Sequence, residues 1–194
     1  ATEYLAATVG EKGSCISVTN TLSFDRNDAI FLECEEGLIA DIPCKQQVYK
    51  NLDGKKILII SGVTVPAFST IVINLVEGTA DALSEISVTD SGVSTPFAEI
   101  EFDGKGYMKS FIDKRCGRQV RGEGYALNTF IVAEDLPAAW DNWDIDADLD
   151  VKFEDKSVRV SREVVSHGAA ALIIRSVYKI TDKSTVTPDA IYFA

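Results

Sequence analysis

The chain has 194 residues, 46% of them hydrophobic and 25% charged, with 30 acidic against 19 basic side chains and a net charge of −11. That length supports one large or two small cores. The acidity excludes nucleic acid and anionic membrane as partners, because both demand a basic footprint, and no stretch approaches the ~20 apolar residues of a spanning helix.

Period-two alternation and β-branched residues predict strands at 15–20, 29–34, 46–49, 56–61 and 70–76. Asp53-Gly54 between the third and fourth is a hairpin signal, since Gly accepts the positive φ of a tight turn. Residues 78–95 are rich in Gly, Ser, Thr and Asp and run into Pro96. This predicts a linker over 78–96 that separates an N-terminal β-rich portion, 1–77, from a second, 97–194. In the second portion strands are expected at 98–102, 107–112, 125–132, 157–165, 169–180 and 190–193, with turns at 103–106 and 114–117 and a hinge at His167-Gly168. No twelve-residue segment carries a 3.6-residue apolar stripe. The fold class is therefore all-β: eleven or so short strands in antiparallel sheets packed face to face, forming either a single large β-sandwich or two smaller ones. The final apolar run breaks off at Ala194, the pattern expected of an excised piece truncated at its C-terminal end.

Cys15, Cys34, Cys44 and Cys116 lie far apart with no C-x-x-C spacing. Two disulfides are permitted by the count, but reduced, buried thiols of an intracellular protein fit the composition better, and a cytoplasmic location is expected.

Little of the sequence suits catalysis. The one histidine, His167, precedes Gly168 and reads as a turn residue. A nucleophilic triad needs its His beside Ser or Cys, which a turn histidine does not suggest, and a single imidazole does not hold zinc where two are required. G-x-S-x-G, phosphate-loop and dinucleotide signatures are missing. No residue is therefore assigned a catalytic role.

The stretch 134–146 is more informative. It sets Trp140 and Trp143, the two tryptophans of the chain, among Asp141, Asp144 and Asp146. Burying an indole needs apolar contact and an acceptor for its N–H, so this loop either docks on a neighbouring domain or borders a sugar-sized pocket. Asp144, Asp146 and Asp148 alternate like the opening ligands of a calcium loop, but Leu149 and Asp155 stand where Gly and Glu are needed. A looser calcium site and a solvated acidic edge that blocks strand pairing are the two readings. Two of these acids about 5 Å apart would have the retaining geometry of glycoside hydrolysis, although acids so close along a chain usually face solvent. Further upstream, in Asn20-Thr-Leu22-Ser-Phe24-Asp-Arg26, Leu22 and Phe24 point to one face. This reads as a strand end, with Asn20 bonded to its own backbone.

Taken in order, these pieces resemble the region that follows the catalytic domain in glycoside hydrolase family 38 α-mannosidases. Asn20, Leu22, Phe24 and Arg26 match N-x-L-x-[WF]-x-R. Phe102-Asp103, Gly106, Met108, Ser110, Asp113-Lys114 and Gly117-Arg118 match F-D-x-x-G-x-[IM]-x-S-x-x-D-K-x-x-G-R. Gly122, Gly124, Leu127 and Phe130 follow as G-x-G-x-x-L-x-x-F, and the W-D-x-W-D block at Trp140 to Asp144 is the most specific element. Lys183-Ser184 is similar to the family's K-S-x-[IL]-x-Q, with Pro188 in place of the Gln. The paired tryptophans resemble the bacterial and the vacuolar or cytosolic branch.

The resemblance implies a supersandwich of the galactose mutarotase-like type. It also implies a parent that is a retaining α-mannosidase, whose zinc is held by two His and two Asp in a separate N-terminal domain. This chain, with one histidine, is then expected to lack the catalytic apparatus and to need no cofactor of its own. Its partners would be the remainder of the parent chain and, through Trp140, Asp141, Trp143 and Asp144, the rim of the mannoside pocket. A free-standing carbohydrate-binding sandwich, calcium-dependent through Asp144, Asp146 and Asp148, is the rival reading, and an adhesin-like structural module the third.

Overall fold

The computed structural model describes residues 15–34, 37–80, 83–133 and 152–194. Among these are fifteen strands and no α-helix, so the fold is all-β and antiparallel. The chain divides into two compact units. One comprises Ala1–Glu85 with Val165–Leu172 and Tyr192–Ala194; the other comprises Ile86–Val164 with Ile173–Ile191.

The first unit is a small sandwich. Strands β1 (Cys15–Thr19), β6 (Thr70–Glu77) and β3 (Leu38–Ala40) form one sheet in the order β1-β6-β3. Strands β2 (Ile30–Glu33), β5 (Lys56–Ser61) and β4 (Lys45–Lys50) form the other, in the order β2-β5-β4. Ile73 and Ala40 from the first sheet meet Leu58 and Ile60 from the second, with Ile16, Val18, Ile30, Leu32 and Leu75 around them. The alternation legible in 15–20 and 70–76 is what turns these side chains to one face. On β5, Leu58, Ile59 and Ile60 are all fully buried. A strand covered on both faces reads as an unbroken apolar run. The β4–β5 hairpin turns at Asp53-Gly54, as its sequence predicts: Gly54 sits at φ 77°, and the Asn51 side chain accepts bonds from the amides of Asp53 and Lys55.

Gln47 on β4 anchors the turn after β12 (Val158–His167). Its side-chain oxygen accepts bonds from the amides of Ala170 and Ala171, at 3.1 and 2.8 Å, and its nitrogen donates to Ser166. A Cβ on Gly168 would lie 2.6 Å from that oxygen. The glycine is there for close approach.

The second unit holds a meander of β7 (Ser87–Thr89), β8 (Gly92–Ser94), β9 (Ala98–Phe102), β10 (Met108–Asp113) and β11 (Arg118–Gln119), each paired with the next. Ala98, Ile100 and Phe102 are buried while Glu99 and Glu101 face out. A further sheet runs β12-β13-β14, with β15 also on β13; here β13 is Ala171–Lys179, β14 Thr185–Val186 and β15 Asp189–Phe193. Strands β12, β13 and β15 give residues to both units. Within the second unit, Arg175 grips Asp189 through two parallel bonds of 2.7 and 2.8 Å.

Four expectations need correction. The segment 78–96 is not a plain linker, because 87–89 and 92–94 are strands. Pro96 lies in the β8–β9 turn, where the buried Thr95 hydroxyl accepts bonds from the amides of Phe97 and Ala98. The boundaries 1–77 and 97–194 likewise give way to units that interleave along the chain. No strand forms over 125–132, where Gly124 at φ 81° and Asn128 at φ 61° interrupt the pleat and isolated bridges at Leu127 and Val132 are all that form. None of the four cysteines forms a disulfide, but none is buried: Cys15, Cys34 and Cys44 are half-buried and Cys116 is exposed in the β10–β11 turn.

Candidate functional site

The most distinctive surface is built by Asn20 in the first unit. Asn20 is only 4% exposed. Its amide nitrogen lies 2.7 Å from the carbonyl of Phe24 and 3.1 Å from those of Val65 and Pro66, while its oxygen accepts a bond from the amide of Leu22. It therefore bonds its own local backbone, as the sequence predicts, and also a second loop 45 residues away. Three further links lock the loops together. Arg26 and Val65 exchange backbone bonds, Phe68 donates to the carbonyl of Leu22, and the Asp25 carboxylate accepts from the amide of Ala67. Arg26 is ion-paired with Asp28.

On this frame Leu22, Phe24 and Phe68 are 38%, 60% and 73% exposed. Phe68 holds a left-handed backbone at φ 48°. For an aromatic residue with a Cβ that conformation costs ~1–2 kcal/mol, which the locked loops sustain. The sequence pattern located Leu22 and Phe24. It did not locate Phe68, because nothing in Val65-Pro66-Ala67-Phe68 declares a positive φ or a contact with the 20–26 loop.

In the second unit the family-like pattern at 102–118 is turn chemistry. The Asp103 carboxylate accepts bonds from the amides of Lys105 and Tyr107. Gly106 sits at φ 87° against the side chains of Arg159 and Tyr178. Asp113 receives the backbone amide and the guanidinium of Arg115, whose hydrogen bond holds its carboxyl down at about 2. Lys114 donates to Ser94 and to the carbonyl of Thr95 and pairs with Glu99 at 3.0 Å. Gln119 donates to Ser110. Phe130, from the next matched element, packs on both Tyr107 and Tyr178, which are stacked 5.9 Å apart.

Beside these rings Asp155 is held by Lys105 at 2.6 Å and by Ser157 at 2.9 Å. Burial, the strongest single influence, pushes its carboxyl up, but the bonds from Lys105 and Ser157 together outweigh it and the net shift is downward. Tyr107 bonds to Ser157 as well. Burial raises Tyr178. Gripped by Lys105 and Ser157, Asp155 fastens this corner of the second unit.

Metal chemistry finds no footing among the described residues: no three His, Cys, Asp or Glu side chains converge. His167 closes β12 and is exposed. The Cys34 and Cys44 thiols are raised by burial, which keeps them protonated. The zinc centre implied by the resemblance does not fit the donors of this chain. Trp140, Asp141, Trp143 and Asp144, together with the calcium candidates Asp144, Asp146 and Asp148, lie outside the described residues.

Comparison with known families gives a match. Residues 93–191 fit the model of the "Glycosyl hydrolases family 38 C-terminal domain". No curated protein and no solved structure matches the chain.

Proposed function

Because the chain belongs to glycosyl hydrolase family 38, through the C-terminal domain of that family, we propose that it is a non-catalytic β-sandwich portion of a retaining α-mannosidase and serves to pack against the enzyme's catalytic domain. The observation that carries this reading is the clamped loop pair. Leu22, Phe24 and Phe68 stand in solvent on a frame fixed by the buried amide of Asn20. Such a patch hides best against another protein surface.

Hydrolysis itself belongs elsewhere in this reading. Zinc would orient the sugar hydroxyls in the parent enzyme, and a chain with one histidine does not supply the ligands. Trp140, Asp141, Trp143 and Asp144 are assigned first to inter-domain packing and second to the rim of the pocket, where an indole face stacks on a pyranose and carboxylates accept its hydroxyls.

Two measurements test this. The chain by itself is expected to leave aryl α-mannosides intact, and genuine turnover overturns the proposal. The F24S/F68S double variant is expected to fold with stability near that of the parent, since both side chains are exposed, and to lose co-purification with the catalytic portion of an α-mannosidase supplied as a separate chain. Calorimetric binding of mannose or calcium by the chain alone, with that association unaffected by the variant, would favour a free-standing carbohydrate-binding module instead.

A further inference from the structure

The chain holds two Asp-Gly dipeptides, Asp53-Gly54 and Asp103-Gly104, and the fold sets them at different positions of the same kind of turn. In the β4–β5 hairpin the amide of Asn51 donates to the carbonyl of Lys55, and Gly54 donates to the carbonyl of Asn51. In the β9–β10 hairpin Asp103 donates to Tyr107 and Gly106 donates to Asp103 in the same way. Gly54 and Gly106 both take the left-handed backbone that closes such a turn. Asn51 and Asp103 are thus equivalent first residues, and the side-chain oxygen of each accepts the amides two and four positions on.

The two aspartates are held differently. The Asp103 carboxylate is committed to the amides of Lys105 and Tyr107, at 2.9 Å each, and Tyr107 is buried against Tyr178. Asp53 is the third residue of its turn, where Asn51 already caps the amides. Residues 52–55 are all exposed, and among the described residues the Asp53 carboxylate accepts no hydrogen bond. The glycine that follows has no Cβ to crowd the approach of its nitrogen to the aspartate side chain.

We propose that Asp53 is a modification site at which the main chain isomerises to isoaspartate. The Gly54 nitrogen attacks Cγ of Asp53 and forms a C–N bond. The amide proton and a proton from solvent leave with one carboxylate oxygen as water, closing a succinimide ring. Water then adds at the carbon that was the Asp53 main-chain carbonyl, and the bond from that carbon to nitrogen breaks. The chain now runs through Cγ, and the former main-chain carbonyl is a free carboxylate. No electrons are transferred, and the water lost is regained. Attack requires the 3.1 Å bond from Gly54 to Asn51 to open, which an exposed hairpin tip does readily. At Asp103 the two bonds to the carboxylate must break as well. A free carboxylate beside a β-linked peptide is the feature that an S-adenosylmethionine-dependent isoaspartyl methyltransferase recognises, so an enzyme of that class is the partner this site fits.

The test holds the folded chain at body temperature and neutral pH for several weeks. Isoaspartate is counted by methyl transfer from S-adenosylmethionine with such a methyltransferase and located by peptide mass spectrometry. It is expected to form at Asp53 at least about tenfold faster than at Asp103, and in urea the two rates are expected to converge to within about threefold, because the turns are then gone. N51A frees the amides of Asp53 and Lys55 and is expected to speed the reaction at Asp53 severalfold. D53E changes an exposed position, so it is expected to fold like the parent and to remove the signal from that peptide, since the larger ring of a glutamate closes slowly. Equal rates at the two sites of the folded chain, or a faster rate at Asp103, overturn the proposal. So does an Asp53 that stays intact while the urea-unfolded chain accumulates isoaspartate, or an N51A chain that isomerises no faster than the parent.

Discussion

Asn20 demonstrates how much of a loop's shape one amide can hold. Its nitrogen faces three carbonyls and its oxygen one amide, so truncation leaves several buried polar groups without partners. N20A is expected to lower the unfolding free energy by ~2–3 kcal/mol. N20D should cost at least as much, because a carboxylate would confront the carbonyls of Phe24, Val65 and Pro66. Urea denaturation followed by far-ultraviolet circular dichroism measures both. Asp113 gives a second test. Its hydrogen bond from Arg115 holds the carboxyl at about 2, against an ordinary 3.8. A carboxyl depressed in the folded state adds stability above its unfolded pKa, and that contribution disappears as pH falls through 3.8 toward 2. Carboxyl NMR titration should find Asp113 near 2 in the parent and returned toward the ordinary value in R115A. A parent value close to 4 would contradict the pairing.

The turns explain why certain glycines recur in the pattern at 102–118. Gly106 and Gly54 both have positive φ, at 87° and 77°, yet their surroundings differ. A Cβ on Gly54 meets nothing within 4 Å, whereas one on Gly106 would lie 2.5 Å from a nitrogen of Arg159 and 3.0 Å from the Tyr178 hydroxyl. G54A should therefore cost only the left-handed backbone penalty, ~1–2 kcal/mol. G106A should cost more by ~1–3 kcal/mol, since Arg159 and the stacked tyrosines must also move. Equal losses would mean that Gly106 is kept for φ alone. Strand prediction succeeded where residues alternate, as in Ala98–Phe102, which is buried at every second position. It failed at Ser87–Thr89 and Gly92–Ser94, because short Ser-, Thr- and Gly-rich strands have the composition of a loop and owe their pairing to each other and, through β8, to β9.

For the molecule as a whole, acidity governs association. With a pI near 4.5 and a net charge of −11 at pH 7, repulsion between copies vanishes as the carboxylates titrate. Light scattering is expected to show maximal self-association between about pH 4 and 5. Scattering that instead rises toward pH 8 would assign association to something other than net charge. Alternation of apolar residues was sufficient to reveal an all-β chain, because successive side chains on a strand point to opposite faces whatever the partner strand is. The ordered motifs from Asn20 to Ser184 were sufficient to identify family 38. Which strands pair, how 165–172 joins a unit begun at the N-terminus, and how Phe68 comes to stand beside Leu22 were settled only on folding. Those contacts join residues tens of positions apart, and no local pattern records them.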